Sequence, residues 1–185
     1  MFTTFLLEMR PLVALWTVDR STAFLIFWIV AFVGPTIWAW LTLRYISNDY
    51  VGIVEKLWSR EGSVPEGQII ALGGEAGYQA GVLRGGLHMN LWRWQYAVHK
   101  VRLVTISEGK IGYVYARDGV PLPSSQTLGR VVPCNNFQDA TTFLTGEQPG
   151  QRGRQRAVLR EGVYAINLAL FTVITETKVH ALEDA

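Results

Sequence analysis

The side chains best suited to covalent or metal chemistry are three histidines, His88, His99 and His180, and one cysteine, Cys134. No two of the histidines stand four residues apart, the helical spacing by which a zinc protease grips its metal, and a single cysteine cannot complete a structural zinc site. Cys134 becomes a nucleophile only if folding brings His88 or His99 to it, and its neighbours Asn135 and Asn136 read better as a loop and a helix cap. No Gly-x-Ser-x-Gly elbow occurs. Gly73 to Gly86 lack the spacing of a dinucleotide loop, and no glycine-rich segment ends in Gly-Lys-Ser or Gly-Lys-Thr. Carboxylates such as Asp118 with Glu108, or Glu176 with Glu183 and Asp184, share no pocket that sequence can place. The expectation is a protein with no catalytic residues, no metal and no cofactor; a Cys134-histidine enzyme is the rival class.

Two other clusters suit binding. Trp92-Arg93-Trp94 combines the residue types enriched at the centres of protein interfaces; a strand with inward aromatics and an outward Arg, or a segment lying on lipid headgroups, accounts for it equally well. Arg152, Arg154 and Arg156, with Arg160 beyond them, form a basic cluster beside Gly150 and Gly153; each Arg contributes about 1 kcal/mol if it lies near an anionic membrane surface. A solvated loop is the plainer account of the arginines. Nucleic acid is not an expected partner, because the net charge is only +2 and no recognition motif accompanies the cluster.

What positions these clusters is a division of the chain. From Ser21 to Leu43 no charged side chain occurs, and after Arg44 the composition turns polar and glycine-studded. As a helix the apolar run reaches about 34 Å, against a hydrocarbon core of about 30 Å. It is too long, and too far from the N-terminus, for a cleaved signal segment. The expected layout is a lead over residues 1–20, a transmembrane segment over 21–43 and a head over 44–185. Gly34-Pro35 leaves two arrangements open, a kinked span or a shallow hairpin with both ends on one side. Arg44, Lys56 and Arg60 after the span outweigh Arg10 and Arg20 before it, which favours a single-pass protein of the cell membrane with a cytoplasmic head. Trp16 before the run, and Trp38, Trp40 and Tyr45 in and after it, suit interfacial belts.

The head is long enough for one domain with a core. Its strands are expected at Val51–Leu57, Gln68–Leu72, Val101–Ile106, Lys110–Ala116, Thr127–Val132 and Leu170–Thr175, with a turn at Arg117-Asp118-Gly119 and a mobile loop at Gly146–Gly153. Val51-Gly52-Ile53-Val54 returns as Ile111-Gly112-Tyr113-Val114, and Leu83-Arg84-Gly85-Gly86 returns as Leu159-Arg160-Glu161-Gly162. Asn90-Leu91 and Asn167-Leu168 follow in the same order. Two divergent β-rich copies, over 49–106 and 109–175, account for this pattern, the second carrying a short helix capped by Asn136 and ended by Gly146. The fold class is α+β, a transmembrane helix followed by a mostly β head with one or two short helices.

These segments, with Leu83 to His88, Gly109 to Gly119 and Arg160 to Asn167, resemble the SPFH or Band 7 superfamily of stomatins, prohibitins and flotillins, and most nearly its bacterial flotillin-like members. The resemblance spans about residues 45–178. It implies a membrane-anchored scaffold that forms homo-oligomers, or assembles with a related Band 7 subunit, and organises membrane microdomains and client membrane proteins. A regulatory subunit restraining a membrane protease is the alternative role. Such proteins usually continue into a heptad-rich helix, and no heptad run occurs here; the sequence is expected either to be truncated or to assemble through a partner chain.

Overall fold

The computed structural model describes residues 19–176 and 179–180. The N-terminal lead with Arg10 and Trp16, and the carboxylates Glu183 and Asp184, lie outside the described residues. The chain divides into two compact parts, one ending at Leu41 and one beginning at Thr42.

The first part contains all but the last residue of α1 (Arg20–Thr42), a helix long and apolar enough to cross a membrane. The Asp19 carbonyl accepts the Ala23 N–H at 2.9 Å and opens the helix. Pro35 lies inside it, and the helix continues through that position rather than turning back at Gly34-Pro35. Proline has no N–H to give to the preceding turn. In the next residue, the Thr36 hydroxyl donates to the Phe32 carbonyl at 2.7 Å, a local bond that satisfies the hydroxyl within an apolar segment.

The head is built from two groups of strands with the same pairing. In the first module, β1 (Arg44–Ile46), β2 (Tyr50–Lys56), β3 (Ile70–Ala71), β4 (Gly77–Leu83), β5 (Gly86–His88) and β6 (Tyr96–Arg102), the strand β2 is flanked by β4 and β6, both antiparallel, and β1 pairs with β5. In the second, β7 (Val104–Ile106), β8 (Gly112–Ala116), α2 (Ala140–Thr145), β9 (Gly153–Leu159), β10 (Gly162–Tyr164) and β11 (Phe171–Thr175), the strand β8 is flanked by β9 and β11, and β7 pairs with β10. A last strand, β12 (Val179–His180), pairs with β11. The correspondence reaches single residues. Gly52 faces Leu83 and Gly112 faces Leu159, and each central strand slips register just after its glycine.

The repeated glycine has a steric cause. A Cβ on Gly52 would lie 2.5 Å from Ile46 Cδ1, and one on Gly112 would lie 2.6 Å from Ile106 Cδ1. In both modules the short strand (β1 or β7) therefore lays its isoleucine over the central strand, and only a residue without a side chain leaves room. Ile46 and Ile106 are buried as a result.

Several expectations are corrected by pairing. The expected strand Val101–Ile106 breaks at Leu103, whose N–H donates to Asp49 O at 3.1 Å; its end pairs with β10 in the other module. Thr127–Val132 forms no strand, only an isolated parallel bridge of Gly129 to Gln155. Strands β4, β5, β9 and β10 were not expected, since their glycines and arginines weaken the β signal while backbone pairing to a neighbour supplies the stability. The short helix starts at Ala140 with Asp139, not Asn136, as its cap: Asp139 Oδ1 accepts the Thr142 N–H at 3.0 Å. Asn136 and Phe137 instead take positive φ, which turns Phe137 inward.

One core joins the modules, drawing Ile53, Ile70 and Ala80 from the first and Val104, Ile106, Phe143 and Leu159 among others from the second. Phe143 and Phe137 both meet Phe171 edge to face, with centroids 4.9 and 5.3 Å apart. Gly150 lies against the Phe143 ring with its N–H donating to the Phe143 carbonyl at 2.6 Å, and a Cβ there would fall inside the ring's own volume. Gly150→Ala is expected to lower stability by about 1–3 kcal/mol through overpacking; thermal unfolding of the purified chain checks this, and an unchanged midpoint contradicts it.

Candidate functional site

The junction between the modules rests on two polar side chains of the second one. Asp118, just past β8, is buried; its Oδ2 accepts the N–H groups of Ile69 at 2.6 Å and Ile70 at 3.0 Å, and its Oδ1 accepts that of Gly119 at 2.7 Å. Asn167 is wholly buried. Its amide nitrogen donates to the carbonyls of Gln79 at 2.9 Å and Ala80 at 3.0 Å, while its Oδ1 accepts the Ala169 N–H at 3.0 Å. The second module thus holds the backbone of β3 and β4 by acceptor and donor together, with Leu168 and Leu170 packed around them. Sequence singled out both residues without this role, Asp118 as part of a turn and Asn167 as half of a repeated Asn-Leu.

The turn that presents Asn167 has a twin. The carbonyl of Asn167 accepts the N–H groups of Leu170 and Phe171, and the carbonyl of Trp92 accepts those of Gln95 and Tyr96. Arg117 N–H donates to Leu170 O and Leu57 N–H to Gln95 O, both at 2.8 Å. Trp92 therefore stands where Asn167 stands in the other module; Asn90, paired with Asn167 by sequence, does not. By the same alignment Trp58 answers to Asp118, Arg93 to Leu168 and Trp94 to Ala169.

This twin turn is exposed. Trp58 and Trp94 stack with centroids 5.4 Å apart, both open to solvent, Trp92 is half-buried and Arg93 exposed. Leu91 N–H donates to the carbonyl of Thr42 at 3.3 Å, so the turn starts beside the residue with which the head begins. Arg44 lies in the same region, and its guanidinium is held below its ordinary value, first by burial and then by the charge of Arg93. Arg44 Nε is buried with no partner among the described residues.

Only part of the arginine cluster is a loop: Arg152 and Arg160 flank β9, and Arg154 and Arg156 lie within it. Arg154 and Arg156 point outward from β9, while Gln155 and Leu159 of the same strand point in. Arg152 precedes the strand and lines a cleft of about 480 Å³ with Glu66, Gln68, Asp118 and Pro121. The three are exposed, and only Arg154 has an aromatic cross-strand neighbour, Tyr115.

The other residues weighed for chemistry take structural places. His88 Nε2 is 2.7 Å from the Arg84 carbonyl, and His99 Nε2 is 2.7 Å from Glu55 Oε2 with its ring against Tyr78. Cys134 is buried in the core, and burial pushes its thiol above the ordinary value. Among the described residues no group of three or more His, Cys, Asp or Glu is placed to hold a metal ion.

The chain is thus a mixed α+β protein, with one helix among the described residues apolar enough to span a membrane and a head of two like-built β modules. Compared with protein-family models, curated proteins and solved structures, it gives no match.

Two outcomes follow from this geometry. Asn167→Asp should destabilise the head more than Asn167→Ala, since a carboxylate would face the carbonyls of Gln79 and Ala80; Ala itself should cost about 1–3 kcal/mol by leaving buried acceptors unsatisfied, and denaturant unfolding of the set measures both. Cys134 should react with a thiol reagent only at the rate of opening of the fold, because the thiolate is disfavoured and covered; labelling as fast as that of an unfolded control contradicts this.

Proposed function

We propose that this chain is a membrane-anchored scaffold of the flotillin or Band 7 type, in which α1 spans the bilayer and the head rests on the lipid surface and assembles laterally. The observation that carries the reading is the bond of Leu91 N–H to the Thr42 carbonyl, which ties the Trp92-Arg93-Trp94 turn to the residue ending the apolar helix. Stacked, exposed tryptophans beside Arg44 and Arg93 suit the headgroup layer, where an aromatic ring meets the apolar boundary and a guanidinium meets phosphate. In the second module the same turn carries Leu168 and Ala169, both buried. The change from apolar to aromatic and basic residues falls at the turn bonded to Thr42, the residue with which the head begins.

Tethering confines heads to two dimensions and raises their effective concentration, so modest contacts between heads suffice for assembly. The order of the repeated strand motifs behind an apolar helix supports the family reading, and the basic residues after the helix support a cytoplasmic head. Client membrane proteins or a related subunit would then join through the head.

The test is the native mass of the full chain in mild detergent, by light scattering, together with labelling of a Val163→Cys, Cys134→Ser variant in intact cells. Val163 is exposed on β10, in the second module. Particles of many chains, with a cysteine that impermeant reagent reaches only after lysis, are expected. A stable monomer overturns the scaffold reading, and labelling in intact cells overturns the cytoplasmic head.

A further inference from the structure

The face of the first module that receives Asp118 and Asn167 has a counterpart on the second module, and nothing in the described structure covers it. The residue pairs are set by register. Ile53 of β2 faces His99, and Tyr113 of β8 faces Ile174; Ala71 bridges Gln79 in parallel, and Gly129 bridges Gln155 in parallel. Ile53 thus answers to Tyr113, Ile70 to Leu128 and Gln79 to Gln155. In the first module Ile53 and Ile70 are 0% and 1% exposed, whereas Tyr113 and Leu128 are 57% and 39% exposed. Tyr115, Val158 and Ile174 continue the apolar face.

On this open face, at the place equivalent to the one the second module fills on the first, lies a cleft of about 370 Å³ lined by Tyr113, Tyr115, Leu128, Arg154, Gln155 and Ile174. Gln155 and Gln79 are held alike: the Gln79 amide nitrogen donates to Glu75 O and Gly77 O, and the Gln155 amide nitrogen donates to Gln151 O and Gly153 O. Gln155 Oε1, buried at the cleft, has no partner among the described residues.

We infer that this face, formed by β8, β9, β11 and the Leu128 segment, docks a third module of the same build, one that presents an asparagine in an Asn167-type turn and a carboxylate at the position of Asp118. Its asparagine amide would donate to the carbonyls of Gln155 and Arg156, as Asn167 does to Gln79 and Ala80, and its apolar turn would cover Tyr113, Leu128 and Ile174. The argument is continuity with the junction already present in the head. A second copy of this chain has no such turn to offer, because its Asn167 and Asp118 are engaged within it, and its other turn carries Trp92 and Trp58 at those positions and starts beside Thr42. The inference needs no membrane and stands apart from the scaffold reading, so either can fail alone.

The experiment extends the full chain after Ala185, through a flexible Gly/Ser linker, with a further copy of residues 104–176, and follows oxidative footprinting of Tyr113 and Tyr115 in the original copy alongside limited proteolysis. Oxidation of both tyrosines is expected to slow about ten-fold in the extended chain. Asn167→Ala with Asp118→Ala in the appended copy alone should return it to the rate of the unextended chain. Unchanged oxidation overturns the inference. So does digestion of the appended copy under conditions that spare the rest, since a docked module should resist as the second module does. Protection already present in the unextended chain, rising with its concentration, also overturns it by making a second copy the occupant.

Discussion

A single side-chain amide meeting two backbone carbonyls in a dry junction constrains most of this head. Asn167 can reach Gln79 O and Ala80 O only if β4 is paired to β2 in its observed register and the turn after β10 is wound so that the Asn167 carbonyl closes on Leu170 and Phe171. Asp118 adds the complementary demand, since its carboxylate needs the N–H groups of Ile69 and Ile70 at β3. Burying these groups is tolerable only because each finds its partners, and an imperfect junction would leave several unsatisfied at once. The two residues therefore set how one module stacks on the next, and the apolar core closes around them.

Within each module the limiting constraint is steric. Gly52 and Gly112 allow Ile46 and Ile106 to cross their central strands, so that β1 and β7 can pair with β5 and β10 while covering one face of the sheet. The Gly-Ile and Gly-Tyr steps after these glycines diverge for a different reason. Ile53 lies in the junction, and Tyr113 occupies the same place on a face left open. Equivalent positions thus keep their backbone role and change their side chain according to what covers them. The same rule separates Leu168 and Ala169, buried between modules, from Arg93 and Trp94, exposed in the turn bonded to Thr42.

Much of the layout was legible without coordinates. A long uncharged run reads as a membrane-length helix because hydrocarbon tolerates no charges, and Pro35 does not interrupt it in the structure. The strands at β2, β8 and β11 were visible because β-branched and aromatic residues cluster there, and the recurring V-G-I-V and I-G-Y-V segments mark the two central strands. From composition the Trp92-Arg93-Trp94 cluster could equally be a strand with inward aromatics, and only the fold shows Arg93 and Trp94 exposed. Strands β4 and β9 were not visible, since Gly77, Gly81 and Gly153 dilute their pattern and their stability comes from pairing with a neighbour distant in sequence.

What the sequence determined by itself was local: where the chain is too apolar for water, where it can extend, where a glycine must stand and which segments recur. Only the tertiary structure decided which recurring segments correspond. It matched Asn167 to Trp92 rather than Asn90, moved Val104–Ile106 into the second module, and set Arg154 and Arg156 in a strand, facing outward. The physical reason is that hydrogen-bond register and burial are properties of pairs of segments. A residue's type states what it can accept or donate, and only the fold states which partner is within 3 Å and whether water is excluded.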